Sequence, residues 1–189
     1  MQDPQTNDSS FSEIDSLHHS VRELTAIIEE NPADADAYYR RGVVYGQLVE
    51  PVAAIRDFDQ VVRLDPDNAE AYYNRGLAYV HLKEQMPAVE DFTHAIRLNP
   101  NHADAYNNRA AAFFDLGQPR RALEDVAKAL EFDEQYPSAY AIAAMAHAYL
   151  GDEGAAEEAA QKAAALGFDG SLLRHFMRQA RRQRRSLGS

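Results

Sequence analysis

The chain has 189 residues, 46% of them hydrophobic, enough for one or two globular domains and outside the range of disordered chains. With no cysteine it excludes a disulfide framework, a thiolate metal site and cysteine catalysis, and no run approaches the ~18 apolar residues of a membrane span. The net charge of -11 is uneven: residues 171–189 carry six arginines and no acid, leaving 13 basic against 30 acidic side chains (13 - 30 = -17) on a body that should repel nucleic acid and anionic lipid.

Residues 1–10 are polar and are expected to be disordered; they lack the basic start and apolar stretch of a signal peptide, so the default expectation is a cytoplasmic protein. Over residues 11–34, Ile14, Leu17, Val21, Leu24, Ile27 and Ile28 fall at helical spacing and predict a lone capping helix. From residue 35 the chain repeats at a shift of 34, bringing DAYYRRGVVYGQL (36–48), EAYYNRGLAYVHL (70–82), DAYNNRAAAFFDL (104–116) and SAYAIAAMAHAYL (138–150) into register. AAIRDFDQVVRLDP (53–66), AVEDFTHAIRLNP (88–100) and ALEDVAKALEFDE (122–134) align as second halves. Each half has apolar residues at helical spacing and predicts a helix of about 13 residues, roughly 20 Å long. Pro66 and Pro100 stop second helices, and Pro51 and Pro119 sit where a first-turn proline starts one.

The predicted order is thus four hairpins, at 35–68, 69–102, 103–136 and 137–169, followed by a basic C-terminal capping helix and tail at 170–189. That last segment carries its own apolar stripe, Leu172, Leu173, Phe176, Met177 and Ala180, and residues 184–189 are expected to be mobile. Interior glycine costs a helix about 1 kcal/mol relative to alanine, so Gly42 and Gly76 mark places where another helix passes close, as do Ala54, Ala88, Ala122 and Ala156.

This pattern resembles the tetratricopeptide repeat. Tyr38, Gly42, Tyr45, Ala54, Phe58 and Pro66 carry it first, then Tyr72, Gly76, Tyr79, Ala88, Phe92, Ala95 and Pro100. The third copy keeps Tyr106, Ala122 and Ala129 but has Ala110 for glycine and Glu134 for proline; the fourth, with Tyr140, Ala144, His147, Ala156 and Ala163, departs furthest. The resemblance implies an all-α fold, a right-handed α-solenoid whose first helices line a concave groove and whose second helices form the convex back. It also implies a scaffold that binds an extended peptide or partner segment in that groove.

Carried onto this sequence, the groove residues are Tyr39, Arg40, Val43, Tyr73, Asn74, Leu77, Asn107, Asn108, Ala111, Ile142 and Met145. Asn74 and Asn108 lie one repeat apart, and an amide pairs with a peptide bond whatever the ligand's side chains. Gln60 and Thr93 fall on the convex side. One subclass clamps the carboxylate tail of heat-shock chaperones with Lys and Asn in the first repeat, Asn in the second, and Lys and Arg in the third. Here only Asn74 fits, and Tyr39, Val43, Asp104 and Asn108 hold the other places.

Arg41, Arg75 and Arg109 recur, as do Asp57, Asp91 and Asp125, and in the fourth copy both positions turn to alanine, Ala143 and Ala159. The joint loss predicts an ion pair between the two helices of each hairpin. The histidines show no recurring ligand spacing, and no phosphate loop or nucleophile elbow appears, so no metal, cofactor or enzymatic activity is expected. Two other readings stay open: an adaptor whose basic C-terminal helix docks on nucleic acid or membrane, and a self-associating subunit, possibilities a salt titration and concentration-dependent sizing would separate.

Overall fold

A computed structural model describes residues 6–187, with side chains described for residues 13–184. Ten helices follow in order: α1 (Thr6–Glu30), α2 (Ala35–Gln47), α3 (Pro51–Leu64), α4 (Ala69–His81), α5 (Gln85–Leu98), α6 (Ala103–Asp115), α7 (Pro119–Phe132), α8 (Pro137–Leu150), α9 (Glu153–Ala165) and α10 (Gly170–Leu187). No strand occurs among the described residues. The two capping helices and two helices per repeat match the 34-residue register. Helix α1 starts at Thr6, inside the stretch expected to be disordered, and α10 runs to Leu187, into the expected tail; residues 1–5 and 188–189 lie outside the described part. No described helix is long and apolar enough to cross a membrane.

The helix ends have local causes. Asp34, Asn68 and Asp152 cap α2, α4 and α9 by accepting from the amides of Ala37 (2.9 Å), Ala71 (3.0 Å) and Ala155 (3.3 Å). Proline opens α3, α7 and α8. Between the two helices of each hairpin one residue turns left-handed, again at a spacing of 34: Val49 (φ 57°), Lys83 (φ 60°), Gly117 (φ 71°) and Gly151 (φ 88°). Glycine adopts this conformation without steric cost, whereas Val49 and Lys83 hold it under strain.

The chain divides into two compact units, Met1–Glu84 and Gln85–Ser189. In the first, α1 packs on α2 and covers it with Leu24 and Ile28 against Ala37. Phe58 of α3 presses its ring on Gly42, where a Cβ would come within 2.9 Å of Cε1, so the glycine is required by this approach. In the second unit one apolar cluster runs from Val89 through Phe113 and Val126 to Leu173, Met177 and Ala180. The alanines at 54, 88, 122 and 156 are fully buried, as their spacing implied.

Helix α10 is the C-terminal cap. Asp169 starts it by accepting from the amides of Ser171 (2.7 Å) and Leu172 (3.1 Å), which hold its carboxyl below the usual carboxylate range. Leu173, Met177 and Ala180 of its apolar stripe are buried, mainly against α8 with a smaller contact to α9, whereas Leu172 stays exposed. Arg181 bonds Glu153 at 3.0 Å and the Arg184 guanidinium fills the space over Gly151.

The predicted ion pairs form in the first and third repeats. Arg41 Nε and Nη2 each donate at 2.8 Å to the two oxygens of Asp57, and Arg109 does the same at 2.7 Å to Asp125. Each arginine also donates through Nη1, at 2.9 Å, to a threonine of the preceding helix, Thr25 of α1 and Thr93 of α5. Each guanidinium lies near two rings, Tyr38 and Tyr45 or Tyr106 and Phe113. The clamp therefore ties three helices together. Arg75 uses Asp59, which stands where Thr25 and Thr93 do, and bonds it at 2.7 Å.

Candidate functional site

In the first unit, α2 carries Tyr39, Arg40 and Val43, and α4 carries Tyr73, Asn74 and Leu77. Arg40 is exposed and reaches the still more exposed Asp36, at 3.6 Å, a pair worth little in water. The other five are half-buried. Tyr39 sets its ring edge-on to Phe58 at 5.9 Å, and its hydroxyl accepts from Asn74 Nδ2 at 3.2 Å. Burial pushes that phenol's pKa up, the nearby Glu70 carboxylate adds to this, and the Asn74 bond works against both. Asn74 Nδ2 also donates to the Glu70 carbonyl one turn back, at 2.8 Å. Both donor bonds spend the amide nitrogen inside the protein and leave Oδ1 as the acceptor.

Beside Asn74 lies a pocket of about 260 Å³ between α2 and α4, floored by Ala54 and Phe58 and walled by Val43 and Leu77, with Gln47 and His81 at its rim. Its cause is a missing side chain. A Cβ at Gly46 would meet nothing within 4 Å, and the positions one, two and three repeats on are Val80, Phe114 and Ala148.

In the second unit, α6 carries Asn107, Asn108 and Ala111, and α8 carries Ile142 and Met145. Asn108 is half-buried and repeats the Asn74 geometry, with Nδ2 donating to the Asp104 carbonyl at 2.9 Å. Ala111 and Met145 are half-buried. Asn107 and Ile142 are not on the surface. Asn107 is 6% exposed and its Oδ1 accepts from Ser138 at 3.2 Å, so it joins α6 to the start of α8. Ile142 is 5% exposed, in the cluster that α10 completes with Leu173 and Met177. The sequence shows Ile142 on the same helix face as Asn74 and Asn108 but not that the capping helix covers it. Thr93, expected on a bland convex surface, is a member of the Arg109 clamp instead.

No group of three or more potential metal ligands occurs among the described residues. Family profiles match residues 53–83 (TPR repeat), and 69–102 and 92–124 (both tetratricopeptide repeat). No curated protein sequence matches. Among solved structures, MamA is 24% identical over 88% of this chain and 95% of its own, with a TM-score of 0.77. YrrB, described as a TPR protein with an unusual peptide-binding site, is 24% identical over 88% of this chain and 86% of its own, at 0.76. The first TPR of Spaghetti (RPAP3), bound to the HSP90 peptide SRMEEVD, is 30% identical over 56% of this chain and 83% of its own, at 0.55.

Proposed function

The chain belongs to the tetratricopeptide repeat family, and from that premise we propose that it is a non-catalytic scaffold holding an extended peptide segment of a protein partner on its first helices. The observation that carries this is the open apolar pocket at Gly46 beside an asparagine whose nitrogen is already committed. A peptide N–H donates to Asn74 Oδ1 while an apolar side chain enters the pocket and meets Phe58, Val43 and Leu77. Tyr39, Tyr73 and Arg40 flank it, and in the second unit Asn108, Ala111 and Met145 offer the same kind of surface. Two neighbours support the reading: one is described by its peptide-binding site, the other is bound to a peptide. The ligand class differs from SRMEEVD, which has three acids and one arginine. This chain carries -17 on residues 1–170, and Tyr39, Val43, Asp104 and Asn108 replace the cationic and amide residues of a carboxylate clamp.

The test is a selection of peptides from a random library on the intact protein, followed by titration of the selected peptides. Asn74→Ala should weaken binding by about 1–3 kcal/mol, the scale of a polar group left unpaired, and Gly46→Leu should block it by filling the pocket. Gln60→Ala should change nothing. Peptides that bind both pocket variants unchanged would refute the reading. If their affinity instead collapses steeply with salt and with neutralisation of Arg174, Arg178 and Arg182, the exposed guanidiniums of α10 are the docking surface.

A further inference from the structure

The second unit holds another pocket, of about 280 Å³, that differs from the first in one respect: a carboxylate stands at its mouth. Its apolar walls are Phe114 of α6, Met145 of α8 and Phe176 of α10, and its polar side is made by Asp115, Gln179 and Gln183. The volume is below the ~300–1,000 Å³ of small-molecule sites and suits a single side chain. Across the repeats the position of Asp115 is Gln47, His81, Asp115 and Tyr149, so only the third copy puts a charge there.

Asp115 is held by one neighbour, Gln85, whose Nε2 donates to Oδ2 at 2.9 Å. Among the described residues no cation pairs with it. Asp115 stands exposed at the pocket's edge, and the partial burial it has there pushes its carboxyl pKa up. Gln85 Oε1 is buried with no hydrogen-bond partner. The pocket thus offers an anionic carboxylate and two aromatic rings, in a chain that is already acidic. An apolar side chain would fill the walls but leave the carboxylate without a counter-charge. An acidic one would be repelled. A long side chain with an aliphatic stem and a cationic head satisfies both halves: the stem lies along Phe114, Met145 and Phe176, and the head meets Asp115 and the ring faces.

We propose that this pocket is a specificity site for a lysine or arginine side chain of the bound peptide, with Asp115 as the counter-charge and α10 supplying one wall. This rests on the peptide-scaffold reading above and names the chemistry of its ligand at the second unit: a segment that carries a basic residue. It also gives α10 a part in recognition through Phe176 and Gln179, separate from its arginines.

The experiment uses n-butylguanidinium and n-butylammonium as side-chain mimics and pentan-1-ol as the neutral control, each titrated into the intact isotope-labelled protein and followed by amide chemical shifts. The cations should give saturable shifts centred on Phe114, Asp115, Met145 and Phe176, and bind at least about fivefold more tightly than the alcohol, the scale of one half-exposed charge contact. Asp115→Asn, which keeps the shape and a partner for Gln85, should remove that advantage. Because the native carboxylate is exposed and has no cation to lose among the described residues, this variant should not lower the thermal midpoint at neutral pH. Gln179→Lys, a change on the exposed side of α10, should set a tethered cation at the mouth and displace the mimics. Equal binding of cation and alcohol, or cation binding unaffected by Asp115→Asn, would overturn the assignment. Asn74→Ala should leave mimic binding intact, so loss of the peptide reading through that variant and loss of the cation pocket are read separately. Shifts that depend on protein concentration, with dimer on sizing, would instead make a second copy's arginine the occupant and overturn the peptide assignment.

Discussion

Replacing Asp125 by alanine removes both acceptors of the Arg109 fork while leaving the guanidinium where it is. The arginine side chain is 16% exposed and its partner 8%, so little water can replace the lost oxygens. Nη1 remains on Thr93, and the rings of Tyr106 and Phe113, 5.6 and 5.7 Å away, still favour the cation's present place. Two charge-assisted bonds go and a mostly buried cation is left uncompensated, a penalty of about 3–5 kcal/mol for a fully buried pair against ~0.2–1 for an exposed one. The exposures place this pair near the buried end, and we expect a loss of about 3 kcal/mol. Removing both charges should cost less than the sum of the single variants by at least about 1 kcal/mol, because neither is then left unpaired. The fourth repeat already shows the fully apolar solution, with Ala127, Ala143 and Ala159 in the three clamp positions. Urea unfolding followed by far-ultraviolet circular dichroism measures the four corners of the cycle. Amide exchange in α6 and α7 shows whether the loss is local, as expected of a repeat array. Single-variant losses that add to within about 0.5 kcal/mol would refute the coupling.

Val49→Gly and Lys83→Gly should each raise stability by about 1 kcal/mol, since glycine takes the left-handed turn that Gly117 and Gly151 already occupy; an unchanged urea midpoint would show no strain there. Asp169 has a lowered folded-state pKa through its bonds from Leu172 and Ser171. Its contribution is therefore present above the ordinary carboxylate range and lost as pH falls through the folded value, so α10 amides should lose exchange protection on acidification before those of α8, and Asp169→Ala should abolish that difference. Deleting residues 170–189 should uncover Ile142 and its neighbours on α8 and cause aggregation or loss of helicity in α8 and α9; a monomer of unchanged helicity per residue would show that α10 is not the cap.

The period of 34 is written in the sequence because each hairpin solves the same local problem with the same residues: a cap before the first helix, a small residue where another helix crosses, a proline at a boundary. Local chemistry of that kind survives translation along the chain, so helix number, order and most ends were legible, as was the ion pairing of Arg41 with Asp57 and of Arg109 with Asp125, though not its two-bond fork. The third clamp member was legible in principle, since Thr25, Asp59, Thr93 and Ala127 keep the same period, but threonine and aspartate look unrelated until an arginine is seen to use both. Only the tertiary structure decided which equivalent positions face water. Asn74, Asn108 and Ile142 are one series by number, yet the two asparagines are half-exposed and Ile142 is buried because α10 lies on α8. Asp115 has no signature at all in its own helix; the apolar walls beside it, Phe114, Met145 and Phe176, are brought together from three separate stretches of chain. Periodicity fixes a residue's direction on its own helix, whereas exposure and charge pairing depend on what the rest of the fold sets against that face.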